Sequence, residues 1–336
     1  MRILVVKFGA LGDVIRTSYF ASALRAKWGD ALELVWLTAP ESEPLLKFHP
    51  HIDRIATSFA DLAPAAFDVV YSLDDEAHIV AQVTSLKALR IVGAFVEAGT
   101  IVYSPDSAPW FDMGLRSRLG KATADLLKRT NRLSHAQIFQ RIFDVPEVAP
   151  CFFGDAALET AACALFPEGR RRIGINAFAG SRWPSKALRL EELERLVRLL
   201  LGDAGNLQVV LLGAGSDRLK NEAVAHRLGD SRVNVAATDE SVLQLAAVVK
   251  TLDVLVSSDS LAMHCAIAQR VPVVAFFAPT SAAEIDVFGR GVKVASSAAD
   301  YCSYRPDADN SSIVAERLYD ALHSLQSALL DQPLFS

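Results

Sequence analysis

The chain has little cysteine, no long apolar run and no excess of positive charge, and each shortage removes a class of protein. Its four cysteines in 336 residues, Cys151, Cys163, Cys265 and Cys302, stand far apart with no Cys-x-x-Cys pair. That excludes a disulfide framework and a cysteine zinc site, and it fits a reducing compartment. No apolar stretch approaches the ~18 residues that cross a bilayer. The first residues form a strand-like run interrupted by Lys7, so neither a secretion signal nor a span is expected, and the localisation reads as cytoplasmic. Lys and Arg number 34 against 39 Asp and Glu, a net charge of −5, which argues against a nucleic-acid protein built on a basic face. Sequence repeats and low-complexity tracts are absent too.

What is present is apolar material in regular alternation. Hydrophobic residues make up 51% of the chain, enough for two buried sheets, and the length fits two domains of about 150 residues each. Strand-like runs at 3–6, 32–37, 67–73 and 91–92 alternate with helical patterns such as 77–89, which signals βαβ units and a parallel sheet. Breakers cluster between Pro146 and Arg172. The rhythm then restarts, with strands at 173–175, 209–212, 254–256 and 273–277 and helices at 190–201, 217–228, 241–251 and 261–269. We therefore expect an α/β protein of two Rossmann-like domains facing each other across a cleft, spanning 1–155 and 156–311. An amphipathic helix follows within 312–336 and is expected to pack back toward the N-terminal domain.

The segments that carry chemistry sit where strands end. After the first strand, Gly9 and Gly12 allow a tight turn, and Asp13 lies at a helix N-terminus above the sheet. Asp13 there either complements the helix dipole or serves as a general base, because ligands of open α/β sheets bind in that crevice. The strand at 173–175 leads into a loop of small residues with two cations. In it Gly180 and Ser181 offer donors to a diphosphate, and Arg182 and Lys186 offset its charge; the plainer reading is a solvated basic turn. The strand at 209–212 ends in Gly213-Ala-Gly215-Ser-Asp217, with Arg218 where a dinucleotide fingerprint has its third glycine. This is weak evidence for NAD, but it places a ligand near Gly213, with Asp217 either accepting from ribose hydroxyls or capping the helix.

A further strand delivers Asp259, Ser260 and Leu261 to a helix N-terminus, where free N–H groups and the helix dipole suit a phosphate. Asp259 beside a phosphate is unfavourable, so it caps the helix, bonds a sugar hydroxyl or pairs with Lys186. His264 lies one turn inside, where a lone histidine is more often a packed residue than a catalytic one, and Thr280 is expected to open another helix as a further donor. The acidic run Asp74-Asp75-Glu76 is read as the start of a helix rather than as a metal site.

Together these segments resemble glycosyltransferase family nine, the ADP-heptose:lipopolysaccharide heptosyltransferases. Lys7-Phe-Gly-Ala-Leu-Gly-Asp13 is similar to the family's opening motif, Lys186-Ala-Leu-Arg-Leu to its lysine-led segment, and Ser258-Asp-Ser-Leu-Ala-Met-His264 with Phe277-Ala-Pro-Thr280 to its paired donor-site signature. Leu261, Ala278 and Leu188 depart from the usual glycines and aromatic at those places. The resemblance implies a GT-B fold with an acceptor-binding N-terminal domain and a nucleotide-sugar-binding C-terminal domain. It also implies inverting transfer of a heptose with Asp13 as base, ADP-heptose as donor, and no metal or other cofactor. Its partners are the nucleotide-sugar donor and a glycolipid or oligosaccharide acceptor of lipopolysaccharide-core type, not nucleic acid. The basic residues Arg116, Arg118, Lys121, Lys128, Arg129 and Arg132 suit a phosphorylated sugar, the anionic inner leaflet in peripheral contact, or plain solvent. Two rival readings stay open: another sugar-nucleotide enzyme of this fold, an epimerase or hydrolase, and a non-catalytic sugar-nucleotide-binding protein.

Overall fold

The computed structural model describes residues 1–330 apart from 167, 181, 182, 204 and 239. The chain divides into two compact units, one of residues 1–153 with 283–286 and one of residues 154–282 with 287–336.

The first unit runs β1 (Arg2–Val6), α1 (Leu11–Trp28), β2 (Glu33–Leu37), α2 (Glu43–Leu46), β3 (Arg54–Ala56), β4 (Ala66–Ser72), α3 (Ala77–Thr84), β5 (Lys87–Glu97), β6 (Thr100–Tyr103), α4 (Ala108–Phe111), α5 (Lys121–Thr130) and α6 (His135–Phe143). Its sheet has the order β3-β2-β1-β4-β5-β6. The β1 to β5 pairings are parallel, with Leu4 beside Val35 and Val70. Ile3 to Val6 are wholly buried, as a central parallel strand covered on both faces requires.

The second unit runs α7 (Ala156–Ala164), β7 (Arg171–Asn176), α8 (Leu190–Gly202), β8 (Leu207–Leu211), α9 (Ser216–Leu228), β9 (Val233–Val235), α10 (Val242–Lys250), β10 (Val254–Ser258), α11 (Leu261–Ala268), β11 (Val273–Phe277), β12 (Gly291–Ala295) and α12 (Ala315–Leu330). All five pairings of its sheet, β12-β11-β10-β7-β8-β9, are parallel. Each unit is thus a doubly wound α/β layer structure, the class read from the alternation.

One departure from the sequence reading has a local cause. The helix expected over 77–89 stops at Thr84, and Lys87 begins an eleven-residue strand that returns through a hairpin. Ala98 and Gly99 both take positive φ between the pair Glu97 and Thr100, the geometry of a two-residue hairpin turn. An alanine there masks the usual Asn-Gly or Asp-Gly signal. Gly12 is the second residue of α1 and is buried. The helix begins at Leu11, so Asp13 is in its first turn. In α12, Leu318, Ala321, Leu322 and Leu325 are buried in the core of the second unit with α8 and β11.

Candidate functional site

In the first unit the carboxyl end of β1 gathers charge. Lys7 is buried and ion-paired with Asp74, which also accepts from the Phe8 N–H at 2.6 Å. Burial by itself would lower the Lys7 ammonium, but Asp74 and Asp13 outweigh it and hold its pKa above the usual lysine value. Asp74 is therefore the buried partner of a lysine 67 residues earlier, not the acidic start of a helix. Asp13 remains partly open: one oxygen lies 2.7 Å from Arg16 Nη2, and the other receives the Ala10 N–H at 3.3 Å. Arg16 in turn lies over the Trp110 ring, 5.5 Å from its centroid.

In the second unit the strand order changes direction between β7 and β10, since β7 is followed by β8 on one side while β10 lies on the other. Adjacent loops there diverge and leave a crevice at the carboxyl ends of the strands. A cavity of about 300 Å³ occupies it, lined from β7 onward by Asn176, Phe178 and Gly180, after β8 by Gly213 and Asp217, and after β10 by Asp259, Ser260 and Leu261, with Lys186 and Trp183 from the intervening loop.

The cavity wall is held by its own hydrogen bonds. Asn176 Nδ2 donates to the Phe178 carbonyl and to Ser260 Oγ, both at 2.9 Å, and Ser258 Oγ donates to the same carbonyl at 3.2 Å. Gly213 is required by close approach: a Cβ there would meet Asn221 Nδ2 at 2.9 Å and Asp217 Cβ at 3.2 Å. Gly215 caps α9 at φ 54. The Gly-Ala-Gly signal is thus explained by the packing of α9 against the end of β8.

Lys186 Nζ lies 2.8 Å from Asp259 Oδ2, and both side chains are largely buried. His264 Nε2 stands 3.9 Å from the other oxygen of Asp259. Burial alone would raise the Asp259 carboxyl, but Lys186 and then His264 overcome it, with help from Thr280, and hold its pKa below the ordinary value. Among the sequence alternatives for Asp259, the pairing with Lys186 is formed. The cap of α11 is Ser260, whose side chain makes no capping bond.

Lys186, Gly180, Gly213, Asp217, Asp259, Ser260 and Leu261 all line the cavity. His264 and Thr280 are not in its lining, and both help to hold the Asp259 carboxyl low. Gly12 and Asp13 belong to the first unit. Ser181 and Arg182 lie outside the described residues.

The Gly180 N–H donates to Asp217 Oδ2 at 3.1 Å. Asp217 does not cap α9, whose cap is Gly215; it also receives Lys220 Nζ at 2.9 Å. Sequence reasoning passed over Thr238 and Leu245 in the lining, because neither residue type marks a ligand site. Asn176 and Trp183 lay inside the loop that was singled out, yet nothing in their type separated them from its other members. Among the described residues no group of three or more His, Cys, Asp or Glu could hold a metal ion.

A model of the family described as glycosyltransferase family 9 (heptosyltransferase) matches residues 114–312. No curated protein matches this sequence. Among solved structures, a glycosyl transferase family 9 protein from Veillonella parvula superposes with a TM-score of 0.76 at 18% identity, covering 98% of both chains. The Escherichia coli ADP-heptose lps heptosyltransferase II gives 0.68 at 16% identity, over 99% of this chain and 100% of that one. The E. coli heptosyltransferase WaaC with ADP gives 0.66 at 15%, over 97% and 100%. At these identities the likeness is one of fold.

Proposed function

The chain belongs to glycosyltransferase family 9, the heptosyltransferase family, and on that premise we propose that this glycosyltransferase moves a heptose from ADP-heptose to a hydroxyl of a lipopolysaccharide-core-type acceptor. The observation that carries the donor half is the cavity at the switch point of the second sheet, with Lys186 held inside it by Asp259. A buried ammonium at the carboxyl edge of a parallel sheet, beside the N-terminus of α11, suits a nucleoside diphosphate. A similar fold is named in complex with ADP in the E. coli heptosyltransferase WaaC.

In the proposed reaction Asp13 takes the proton of the acceptor hydroxyl. The oxygen attacks the anomeric carbon from the face opposite the diphosphate, and the carbon–oxygen bond to the diphosphate breaks with inversion. Lys186 and the first N–H groups of α11 take up the charge that grows on the departing ADP. Asp13 suits the base because its carboxylate is partly exposed and oriented from both sides, by Arg16 and by the Ala10 N–H.

The test is calorimetric titration with ADP, UDP and GDP, then ADP-heptose, alongside turnover of an Asp13→Asn variant. Selective binding of ADP, tightened by the heptose, with kcat lowered ~10²-fold or more and donor affinity kept, is the expected outcome. Preference for UDP or GDP would discard the heptose; donor consumption without acceptor would make the protein an epimerase or hydrolase. Binding with no turnover at all would leave a sugar-nucleotide-binding protein.

A further inference from the structure

The Asp13 carboxylate is placed by a side chain that must itself be held. The Ala10 N–H reaches it only at 3.3 Å, whereas Arg16, one turn further along α1, lies at 2.7 Å. A charge-assisted bond of that length fixes the carboxylate for as long as the guanidinium stays put. An arginine side chain is rich in rotamers and gives up that freedom only where something packs it.

Trp110, in α4, packs it. The Arg16 guanidinium lies 5.5 Å from the centre of that ring, within reach of a cation–π contact, and the Arg16 side chain is only 13% exposed. Trp110 is fixed in turn. His135 and Phe139 of α6 meet it nearly at right angles, with ring centres 5.4 and 5.1 Å away, and its ring packs on the cluster of Val80, Ala94 and Tyr103. Phe20 of α1 lies 4.7 Å from Phe143 and 6.1 Å from Phe139. The contacts therefore close a loop from α1 through α6 and α4 back to Arg16, and Trp110 cannot turn without disturbing rings on two other helices. Lys7 is a competing partner for Asp13. After burial and Asp74, the influences on its ammonium are Asp13, which favours the charge, and Arg16, which opposes it. A carboxylate released by Arg16 thus has a buried cation to turn toward.

We propose that Trp110 is a positioning residue for the transfer: acting through Arg16, it keeps the Asp13 carboxylate off Lys7 and open to the acceptor hydroxyl. The proposal rests on the reading of Asp13 as the base and is independent of which nucleotide the donor carries. Every residue it invokes belongs to the first unit. A base displaced by about 1 Å can lose ~10²-fold in rate, so a ring that touches neither reacting atom still governs the step.

Turnover of ADP-heptose with a delipidated lipopolysaccharide core oligosaccharide is compared in the full-length parent and in W110L, W110F, R16Q and W110L/R16Q. W110L should lower kcat about ten-fold or more while KM for ADP-heptose and the Kd of ADP stay unchanged, and W110F, which keeps a ring face, should recover most of the loss. The double variant should be no slower than R16Q, a non-additivity expected only if Trp110 acts through Arg16. Thermal scans report folding, and W110M, which keeps length without a ring, replaces W110L should that variant not fold. A crystal structure of W110L should show Arg16 Nη2 withdrawn beyond about 4 Å from Asp13, a readout that needs no turnover. An intact pair in that crystal, W110L turnover like the parent's, or losses that multiply in the double variant would overturn the proposal. Should Asp13→Asn be inert and W110L normal, the proposal alone falls; should Asp13→Asn work like the parent, the base assignment falls and takes the proposal with it.

Discussion

Lys186 and Asp259, 73 residues apart in the chain, meet at 2.8 Å inside the cavity of the second unit. The carboxylate holds the buried ammonium in place before any ligand arrives, so a diphosphate meets a cation already desolvated and positioned. Lys186→Ala should weaken ADP binding about 10- to 100-fold, the worth of one or two charge-assisted hydrogen bonds. Calorimetry with ADP checks this, and an unchanged Kd would remove Lys186 from the site.

The same pair sets a dependence on acid. Asp259 has a folded-state pKa below its ordinary value of 3.8, the cost of its burial being outweighed first by Lys186. Its stabilisation is therefore full above the unfolded value and is lost as pH falls through the folded one. Asp259→Asn, which leaves Lys186 without its counter-ion, should lower the melting temperature at pH 7. The gap from the parent should close below about pH 4. A gap that persists there would mean that shape rather than charge is at stake.

His49 gives a second pH response, in the first unit. It is 6% exposed, with Cys151 Sγ 3.9 Å from its Nε2 and Phe153 packed at 4.8 Å. Burial first, and then neighbouring His51, push its pKa down from 6.5 to about 4. The unfolded chain binds the proton that the folded one refuses, so stability declines as pH drops from 6.5 toward 4, by about 3 kcal/mol in full. His49→Gln should flatten urea midpoints over that interval, and an undiminished slope would place the titration elsewhere.

Gly93 tests the backbone of β5. Its φ is +111, and an added Cβ would lie 1.9 Å from the Ser72 carbonyl oxygen. Because the obstacle is paired backbone, no rotamer change relieves it. Gly93→Ala should cost at least about 3 kcal/mol, read as lost soluble yield or a lower melting temperature.

Much of this was legible from the sequence because it is local. Ile3 to Val6 read as a buried strand since apolar runs of that length between breakers have few other fates. The helices beginning near Leu190, Ser216, Val242 and Leu261 carry their own spacing. The hairpin of β5 and β6 was not legible, because Ala98 supplies a positive φ that glycine or asparagine would have advertised. The helices α5 and α6 went unread as well. Yet Ser134 and Gln137 form a capping box at the start of α6, a signal that was there to find.

The sequence by itself determined the alternation of strands and helices in both units, the breaks where each strand ends, and the residue types waiting at those breaks. Strand order was decided only by the fold: that β10 lies beside β7, and not beside β9, opens the crevice and brings Asp259 to Lys186. The tertiary structure also turned Asp217 toward the Gly180 N–H and Asp74 toward Lys7. Periodicity records which face of an element is buried, whereas a pairing across dozens of residues depends on which strand ends become neighbours and on the cost of leaving a buried charge without its partner.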